Sequence, residues 1–390
     1  MNSDFRFMHT SDPHVDTIHH GKLNPATGMN FVFESNLAVL KHLVDEAIER
    51  KADIFLLAGD LVSAGNPGPE VYVRLAQILT PLIDAGIPLQ MVEGNHERLW
   101  LPAKHHSSMN VLSHLLHDVS IEDSCTKLQL VKHDNCNVLV VPYPMKARIL
   151  SELGKQKVDP TQGDAIVVKH VLDKMNQLAE QRDPDLPFFI TGHFTVDGIG
   201  LPTFEKGIAN IMNECVFPVD ALEVLEPDYV ALGHIHTPQQ VGAKTFYSGS
   251  PNKLTFTDAN DVKGGNWVTL GGNGSLDVER VLTPVRGMYK FDLAVNSDFD
   301  LELEKNDVVQ LLLPEGEKNV PSEIEKAAKD AGASLVVKVR PARTVRVNRT
   351  VLPEKISPIE ALKTYLSNSD YPTDFTEDVV KTAKKLGADS

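Results

Sequence analysis

The sequence predicts an α/β fold in which a β-sandwich flanked by helices is followed by a small α+β capping domain and C-terminal helices. Up to about residue 280, short apolar runs of strand length alternate with segments whose apolar residues recur every three to four positions. The pattern then changes to closely spaced strands joined by a glycine-rich turn. These observations favour one large domain over residues 1–283, a small domain over 284–350 and a helical segment over 351–390.

The large domain contains five apolar runs with the length of strands, at residues 5–11, 53–58, 88–92, 188–191 and 229–232. Helical stripes of apolar residues lie between them, at residues 37–50, 71–80 and 164–178. Three further strands are predicted at residues 245–247, 266–270 and 276–282. The last two flank a glycine-rich turn, and we expect this hairpin to close the second sheet of the sandwich.

Most of the five strand-like runs lead into a glycine and then a side chain that can bind a metal ion. The motifs are, in order, Asp12-Pro13-His14, Gly59-Asp60, Gly94-Asn95-His96-Glu97, Gly192-His193 and Gly233-His234-Ile235-His236. In open α/β sheets, ligands bind at the carboxyl ends of the strands. Glycine also lets the backbone turn sharply there. The sequence therefore predicts that all five motifs meet at one sheet edge.

Together the motifs offer two Asp carboxylates, one Asn amide oxygen and four imidazoles, with His96 in addition. Mixed nitrogen and oxygen ligands without a thiolate suit manganese, iron or zinc. Two such ions can activate a water and stabilise both oxygens of an in-line phosphoryl displacement. A single Asp-x-His or Gly-Asp is common, and His193 by itself would be read as a hydrogen-bonded core histidine. The joint occurrence of the motifs after strands is what predicts phosphoester hydrolysis.

The composition is that of a globular protein, with 42% hydrophobic and 23% charged residues in a chain of 390. Cys125, Cys136 and Cys215 are odd in number and lack metal-type spacing, which predicts a reducing cytoplasm. The start has no signal-peptide pattern, and no apolar run reaches membrane-spanning length. We therefore expect a cytoplasmic protein that does not bind a membrane.

The net charge of −15 opposes binding to a polyanion, because affinity for nucleic acid comes largely from Lys and Arg. Bound cations would offset several of the acids. A basic stripe over residues 336–355 could nevertheless contact phosphates or an acidic partner. Its candidate DNA-binding residues are Lys338, Arg340, Arg343, Arg346 and Arg349. A solvated strand face explains the same residues equally well.

The small domain and the tail carry no metal-ligand motif. Strand patterns at 308–313 and 335–340 enclose a helix at 321–331 that ends before Gly332, a βαβ-like unit suited to substrate positioning or scaffolding. In the tail, a capping box at residues 357–360 opens an amphipathic helix, and a lysine-rich helix is predicted over 376–386. Such a pair docks into a partner or packs back onto the small domain, and the sequence leaves both readings open.

The motifs resemble those of the SbcD-type DNA exonucleases, which are calcineurin-like metallophosphoesterases related to the meiotic-recombination nuclease. The resemblance covers roughly residues 5–270 and includes residues 7–14, 58–62 and 93–96. Its discriminating feature is residues 247–256, Tyr-Ser-Gly-Ser-Pro-Asn-Lys-Leu-Thr-Phe, together with residues 263–266, Lys-Gly-Gly-Asn. Generic metallophosphoesterases share the ligand motifs but not this continuation. The small domain and the tail match only in architecture.

The resemblance implies a role for each ligand motif. It implies a first ion held by Asp12, His14 and His236. It implies a second ion held by Asn95, His193 and His234. Asp60 would bridge both ions, and a water acidified by the two cations would be the nucleophile. His96 would not be a ligand but would stabilise the developing charge and help to protonate the leaving 3′ oxygen.

The same resemblance implies a DNA nuclease subunit with two divalent ions, most often manganese. Such a subunit cuts duplex ends 3′ to 5′ and cuts single strands or hairpins endonucleolytically, in DNA repair and recombination. It implies a homodimer and C-terminal helices that bind the coiled-coil base of an SbcC-type ABC ATPase. That ATPase would supply ATP-gated access and much of the basic DNA surface. The expected place is the cytoplasm, at the nucleoid, or the host cytoplasm for a viral source.

Three positions depart from the family pattern. Glu97 stands where Asp is usual, Ser63 stands where many members carry a second active-site histidine, and Asp16 makes the first motif more acidic. Ser63 and Glu97 leave room for a mainly structural or regulatory subunit of an ABC-type ATPase. The shared ligand motifs make a small-molecule phosphatase or phosphodiesterase the nearest alternative. The complete ligand set and residues 247–256 favour the nuclease.

Overall fold

A computed structural model of the chain describes residues 4–18, 22–97, 107, 109–116, 119–122, 127–155, 158–200, 214–295, 299, 301–339, 359–360, 362–363 and 379–382. The described part is a mixed α/β structure in which sheets are flanked by helices. None of its helices is long and apolar enough to cross a membrane.

Strands and helices alternate through most of the chain. The strands are β1 (Phe5–Thr10), β2 (Ile54–Leu57), β3 (Leu89–Val92), β4 (Val119–Glu122), β5 (Gln129–Lys132), β6 (Asn137–Val141), β7 (Phe188–His193), β8 (Thr195–Val196), β9 (Val216–Phe217), β10 (Tyr229–Gly233), β11 (Gln239–Gln240), β12 (Thr245–Tyr247), β13 (Gly264–Leu270), β14 (Leu276–Leu282), β15 (Met288–Asp292), β16 (Val308–Leu313) and β17 (Ser334–Val339). The helices are α1 (Phe31–Glu49), α2 (Pro69–Asp84), α3 (Met109–Leu115), α4 (Lys146–Glu152), α5 (Pro160–Ala179), α6 (Val219–Glu223) and α7 (Ser322–Ala331), with a 3₁₀ turn at Phe256–Asn260.

Two six-stranded sheets form the predicted sandwich. Sheet A has the order β14-β13-β1-β2-β3-β4, and sheet B has the order β11-β12-β10-β7-β6-β5. Strands β1 to β4 are parallel to one another, as are β6, β7, β10 and β12. The strands that precede the ligand motifs therefore end at the same edge of their sheets, as the sequence predicts.

Alternate side chains of the central strands are buried on opposite faces. Phe7 and Leu56 lie between the sheets, where the ring of Phe7 meets that of Tyr229 edge-on at 5.3 Å. Their neighbours Met8 and Phe55 point to the other face, into a cluster with residues of α1 and α2. Burial on both faces explains why these strands read as continuous apolar runs.

The hairpin at the end of the large domain lies in a different sheet from the one predicted. Strand β13 pairs with β1, so β13 and β14 extend sheet A and do not close sheet B. Met8 faces Trp267 across this antiparallel pair. The hairpin itself is placed correctly, but the edge it joins depends on pairing between residues more than 250 positions apart, which local patterning does not encode.

Helix limits differ from the sequence pattern mainly at the starts. Helix α1 begins at Phe31, before the predicted residue 37, because the Asn30 side chain caps it by accepting the Val32 N–H at 2.8 Å. Helix α7 ends as predicted, at Gly332 in the left-handed region with φ of 74°.

The chain divides into two compact units, each of which has most of its contacts within itself. The first comprises residues 1–312 and 320–338, and the second comprises residues 313–319 and 339–390. Strands β15, β16 and β17 form a three-stranded sheet in that order. In the tail, described residues 359–360, 362–363 and 379–382 are helical, and the rest of the predicted helical pair lies outside the described residues. The domain boundaries predicted at residues 284 and 351 stay predictions.

Candidate metal centre

The five motifs converge at the carboxyl ends of β1, β2 and β3 of sheet A and of β7 and β10 of sheet B. Of three groups of side chains whose ligand atoms are close enough to share an ion, two are Asp12 with His14 and His236, and Asp60 with His193 and His234. These groups match the two predicted ligand sets, apart from Asn95, which lies beside the second. The structure thus brings together every ligand that the sequence predicts.

Four of these residues have a positive φ angle, a backbone conformation that residues other than glycine rarely adopt. The φ angles of Asp12, His14, Asp60 and His234 are 53°, 42°, 50° and 93°. Such a conformation costs about 1–3 kcal/mol per residue and persists where the surrounding structure imposes it. Strain at four predicted ligands is typical of a preorganised functional site.

Two motif glycines are required by close packing. At Gly59, which has φ of 90°, a Cβ would collide with the ring of His193. At Gly233, a Cβ would collide with the Ala58 carbonyl and lie 2.8 Å from Ser11 Cβ. Because these glycines let β2 and β10 approach closely, ligands from both sheets can reach one centre.

The first ion position lies among Asp12, His14 and His236. The Nε2 of His236 lies 3.9 Å from Asp12 Oδ1, and the Nε2 of His14 lies 3.5 Å from Asp60 Oδ2. Asp12 is fully buried, and both of its carboxylate oxygens accept the His234 N–H at 3.0 Å. That bond ties the first position to the strand end that carries the second.

The second ion position lies among Asn95, His193, His234 and Asp60. The Nε2 of His193 lies 3.1 Å from Asn95 Oδ1 and 3.2 Å from Asp60 Oδ2. The Nδ1 of His234 lies 3.2 Å from the same Asn95 oxygen. Asp60 Oδ2 therefore faces a histidine of each position, which is the place of a bridging ligand.

The ligand atoms fit divalent cations. The buried Nε2 of His14 has no hydrogen-bond partner among the described residues, although it points at two carboxylates. Unsatisfied buried acceptors of this kind are rare unless an ion or water binds them. The opposite ring nitrogen of His193 donates to the Ala58 carbonyl at 2.8 Å, which directs Nε2 towards Asn95 and Asp60.

Electrostatics differ among the histidines. Burial lowers the pKa of His14 to about 3 and that of His236 to about 4, so both are neutral at pH 7. Burial would also lower the pKa of His193, but the Asp60 carboxylate outweighs it and raises that pKa to about 10. His193 in turn holds the pKa of the buried Asp60 well below its usual range.

His96 is exposed at the rim of the centre. Its Nδ1 donates to the Ser63 carbonyl at 3.0 Å, and its ring lies 4.9 Å from that of His14. His96 also lies close enough to His14 and Asp60 to complete a third possible ligand group. Its backbone N–H donates to Asp60 Oδ1 at 3.0 Å. Because the His96 ring is exposed and the predicted ligands are largely buried, His96 is better placed than they are to contact a substrate.

The three departures from the family pattern all act on the backbone or on His14. The buried Glu97 carboxylate accepts the N–H groups of Asp60, Val62 and Gly94 at 2.8–3.2 Å, so it holds two motif loops together through their backbone. The Asp16 carboxylate accepts the Ser63 and Ala64 N–H groups.

Ser63 itself touches two predicted site residues. Its hydroxyl lies 3.1 Å from His14 Nδ1, and its carbonyl accepts the proton of His96 Nδ1. A second hydroxyl, from Thr17, lies 2.5 Å from that of Ser63. In the sequence Ser63 is notable only as a departure from histidine, because no motif encodes the loop that brings its hydroxyl to His14.

Three supporting residues carried no assigned role in the sequence. Glu214 Oε2 lies 2.9 Å from His234 Nε2. The Tyr143 ring centroid lies 5.8 Å from that of His234. The Nζ of the buried Lys263 donates to the His236 carbonyl at 2.9 Å and to Asp261 at 3.1 Å. Lys263 belongs to the discriminating motif, whereas Glu214 and Tyr143 have no sequence signal at all.

His9 and two buried cysteines belong to none of the candidate ligand groups among the described residues. His9 lies buried between the sheets with Nδ1 3.0 Å from the Tyr229 hydroxyl. Burial raises the pKa of the Cys136 and Cys215 thiols to about 12, so neither is a nucleophile at neutral pH. Of the predicted DNA-contacting residues, Lys338 is exposed on β17. Arg340, Arg343, Arg346 and Arg349 lie outside the described residues.

This fold and centre define a class of enzyme. The calcineurin-like phosphoesterase family matches residues 5–238, more than half of the chain. The chain therefore belongs to the calcineurin-like phosphoesterase family, which confirms the predicted fold class. Together with the relatives below, this membership also confirms the predicted enzyme class, a metal-dependent phosphodiester hydrolase.

Among individual proteins, two from Escherichia coli, strain K12 and O157:H7, bear names that identify them as the SbcD subunit of the nuclease SbcCD. Each is 27% identical over 312 residues, which is 74% of this chain and 72% of the relative. They confirm the resemblance to SbcD-type nucleases.

Two solved structures are more distant. A dimetal phosphatase from Danio rerio is 14% identical with a TM-score of 0.37, covering 71% of this chain and 98% of that one. A purple acid phosphatase from yellow lupin is 13% identical with a TM-score of 0.38, covering 72% of this chain and 52% of that one.

Proposed function

We propose that this chain is the nuclease subunit of an SbcC–SbcD-type complex and that it hydrolyses DNA phosphodiester bonds with two divalent ions, manganese in preference. The observation that carries the proposal is the complete set of nitrogen and oxygen ligands around Asp60, with no thiolate among them. Mixed ligands of this kind suit manganese, iron or zinc, and the resemblance to SbcD-type nucleases favours manganese. The two Escherichia coli relatives, whose names describe nuclease subunits, support DNA as the substrate.

Each ligand has a proposed place. Asp12, His14 and His236 hold the first ion, Asn95, His193 and His234 hold the second, and Asp60 is shared. When bound, two such ions lower the pKa of a water molecule and neutralise charge on the phosphate. Asp12 and Asp60 supply the negative charge that retains the ions in a buried site.

His96 has the geometry of a group that acts on the substrate. Its Nδ1–H is used by the Ser63 carbonyl, so Nε2 of the exposed ring remains available. A protonated Nε2 stabilises negative charge that develops on the phosphate and passes its proton to the leaving 3′ oxygen. Ser63 thereby fixes the orientation of His96 through its carbonyl and contacts His14 through its hydroxyl.

The partners follow from the same reasoning. A chain with a net charge of −15 gains DNA affinity from bound cations, from the basic stripe at residues 336–355 and from a basic partner. We propose that the C-terminal helices bind an SbcC-type ABC ATPase and that the nuclease domain forms a homodimer. Cleavage is proposed to run 3′ to 5′ from duplex ends and to be endonucleolytic on single strands and hairpins, in cytoplasmic DNA repair.

The test is manganese-dependent cleavage of an end-labelled linear duplex and of a single-stranded circle. Asp60→Asn keeps the shape of the side chain but removes the shared charge, so we expect a loss of about a thousandfold or more. Asp84→Asn, at the exposed end of α2, is the matched control and should cleave like the wild type.

The outcomes separate the alternatives. Cleavage that Asp60→Asn abolishes supports the nuclease, and the position of the label gives its direction. Turnover of a small chromogenic phosphodiester with DNA untouched, even with the ATPase added, would move the assignment to a small-molecule phosphodiesterase. ATPase stimulation retained by an inactive wild-type chain would indicate a structural subunit.

A further inference from the structure

A single carboxylate stands behind the second ion position. Glu214 lies two residues before the start of β9, which pairs with β8 through Thr195 and Val216. Its Oε2 lies 2.9 Å from His234 Nε2 and accepts a hydrogen bond from the Thr195 hydroxyl at 3.1 Å. The Glu214 side chain is 6% exposed and that of His234 is 13% exposed, so the pair is largely shielded from water.

This contact determines which nitrogen of His234 faces the ion position. An ionised carboxylate has only acceptor atoms, so the proton of the pair lies on His234 Nε2. Nδ1 is then the unprotonated nitrogen, and it is the one that lies 3.2 Å from Asn95 Oδ1. The backbone N–H of His234 is held separately by Asp12 at 3.0 Å.

The first position has no equivalent carboxylate among the described contacts of His14. We call the ring nitrogen that faces away from the ion position the outer nitrogen. The outer nitrogen of His14 is Nδ1, which lies 3.1 Å from the Ser63 hydroxyl, and a hydroxyl can donate or accept a hydrogen bond. The outer nitrogen of His193 meets the Ala58 carbonyl at 2.8 Å. The structure describes hydrogen bonds from the outer nitrogens of three predicted ligands, His14, His193 and His234. Of these described bonds, only that of His234 goes to a carboxylate.

We propose that Glu214 is a positioning residue that fixes the tautomer and orientation of His234 and strengthens the binding of one ion but not of the other. A carboxylate behind a ligand histidine raises the basicity of the ligating nitrogen. The inference rests on the proposed function in that His234 is a ligand of the second ion.

The test uses the metal-free full chain titrated with manganese alone in a calorimeter, with bound manganese counted by elemental analysis. The wild type should bind two ions. Glu214→Gln should weaken one binding event by about 10- to 100-fold and leave the other unchanged. Glu223→Gln is the matched control. Glu223 lies away from the motifs and accepts a hydrogen bond of 2.9 Å from the Thr245 hydroxyl, so this variant should bind manganese like the wild type.

A second readout reports the tautomer directly. Long-range ¹H–¹⁵N spectra of the metal-free protein labelled at histidine should show the His234 proton on Nε2 in the wild type. This preference should be lost in Glu214→Gln. Thr195→Val, which removes one hydrogen bond to Glu214 and keeps its charge, should give a smaller change in the same direction and serves if Glu214→Gln does not fold.

The proposal is overturned if Glu214→Gln binds two ions as tightly as the wild type, or if both binding events weaken equally. These measurements need no DNA, so they separate the two proposals. If the wild type binds two ions and Glu214→Gln weakens the binding of one, but the wild type does not cleave DNA, the proposal for Glu214 stands and the proposed nuclease activity is wrong. DNA cleavage with unchanged ion binding in Glu214→Gln would do the reverse.

Discussion

The two candidate ion positions share Asp60 but differ in the groups that surround their histidines. At the first, His14 and His236 are neutral, and the groups behind them are the Ser63 hydroxyl and the Lys263 ammonium. At the second, His193 is paired with Asp60 and His234 is paired with Glu214. Similar ligand types therefore lie in two different electrostatic settings.

The difference means that occupancy of the two positions has different chemical costs. A histidine must lose its ring proton at the ligating nitrogen before it can bind a metal ion. At pH 7 the first-position histidines are already neutral, whereas His193 holds a proton because its pKa is raised to about 10. In the proposed arrangement the second ion binds only after that proton is lost, and the Glu214 carboxylate beside His234 offsets part of this cost.

The largest effect is expected from removing the cation behind the first position. Lys263 has no exposed side-chain surface and lies 3.1 Å from Asp261 and 3.7 Å from Asp258. Lys263→Met removes the buried cation that contacts these two carboxylates and the His236 carbonyl, and breaking a buried pair costs about 3–5 kcal/mol. We expect that loss in the free energy of unfolding by urea, and weaker binding of one manganese ion.

Lys253→Met is the control for that variant. Lys253 lies in the same segment, is half-buried and donates to the Ala259 carbonyl at 2.8 Å. Its loss should cost only about 1 kcal/mol, the size of an ordinary hydrogen bond. Equal losses for the two lysines would show that Lys263 gives the first position no particular support.

A proton titration would sharpen the comparison next. In the metal-free protein at pH 7.5, ¹⁵N spectra should show His193 as an imidazolium and His14 and His236 as neutral rings. Zinc, which is diamagnetic, should remove the His193 proton and none from the other two. A neutral His193 at this pH would contradict the difference between the positions.

The sign of the pH dependence follows from the same raised pKa. The folded pKa of His193, about 10, exceeds the ordinary value of 6.5. The stabilisation it gives the metal-free protein is therefore fully present below pH 6.5 and is lost as pH rises through 10. Urea unfolding of the metal-free wild type and of His193→Gln, measured from pH 7 to pH 10, should converge as pH rises.

The smallest effect is expected from Ser63→Ala. Removing the hydroxyl that lies 3.1 Å from His14 should weaken the binding of one manganese ion by about tenfold. That is the lower end of the loss in metal affinity typical when a hydrogen-bond partner of a ligand is removed. Ser63→Thr keeps a hydroxyl and should restore most of the affinity. In Ser63→Ala combined with Glu214→Gln, two different binding events should be weakened. Weakening of the same event by both changes would contradict the assignment of Ser63 to the first position.

Much of the sandwich could be predicted because its central strands are buried on both faces. Strands β12 and β14 have the predicted limits, and β1, β2, β3, β7 and β10 lie within a few residues of them. Apolar runs of this length between glycines leave little room for another structure. The start of α1 was missed because Asn30 marks it by a cap and not by apolar periodicity.

The sequence by itself determined the ligand types, their order and their position after strands, because those features are local to each motif. Only the tertiary structure decided that β13 joins sheet A, that Asp60 faces both positions and that Glu214 stands behind His234. Those relations join distant segments through strand pairing and loop closure. Their side chains meet only once both sheets are packed, so no spacing along the chain records them.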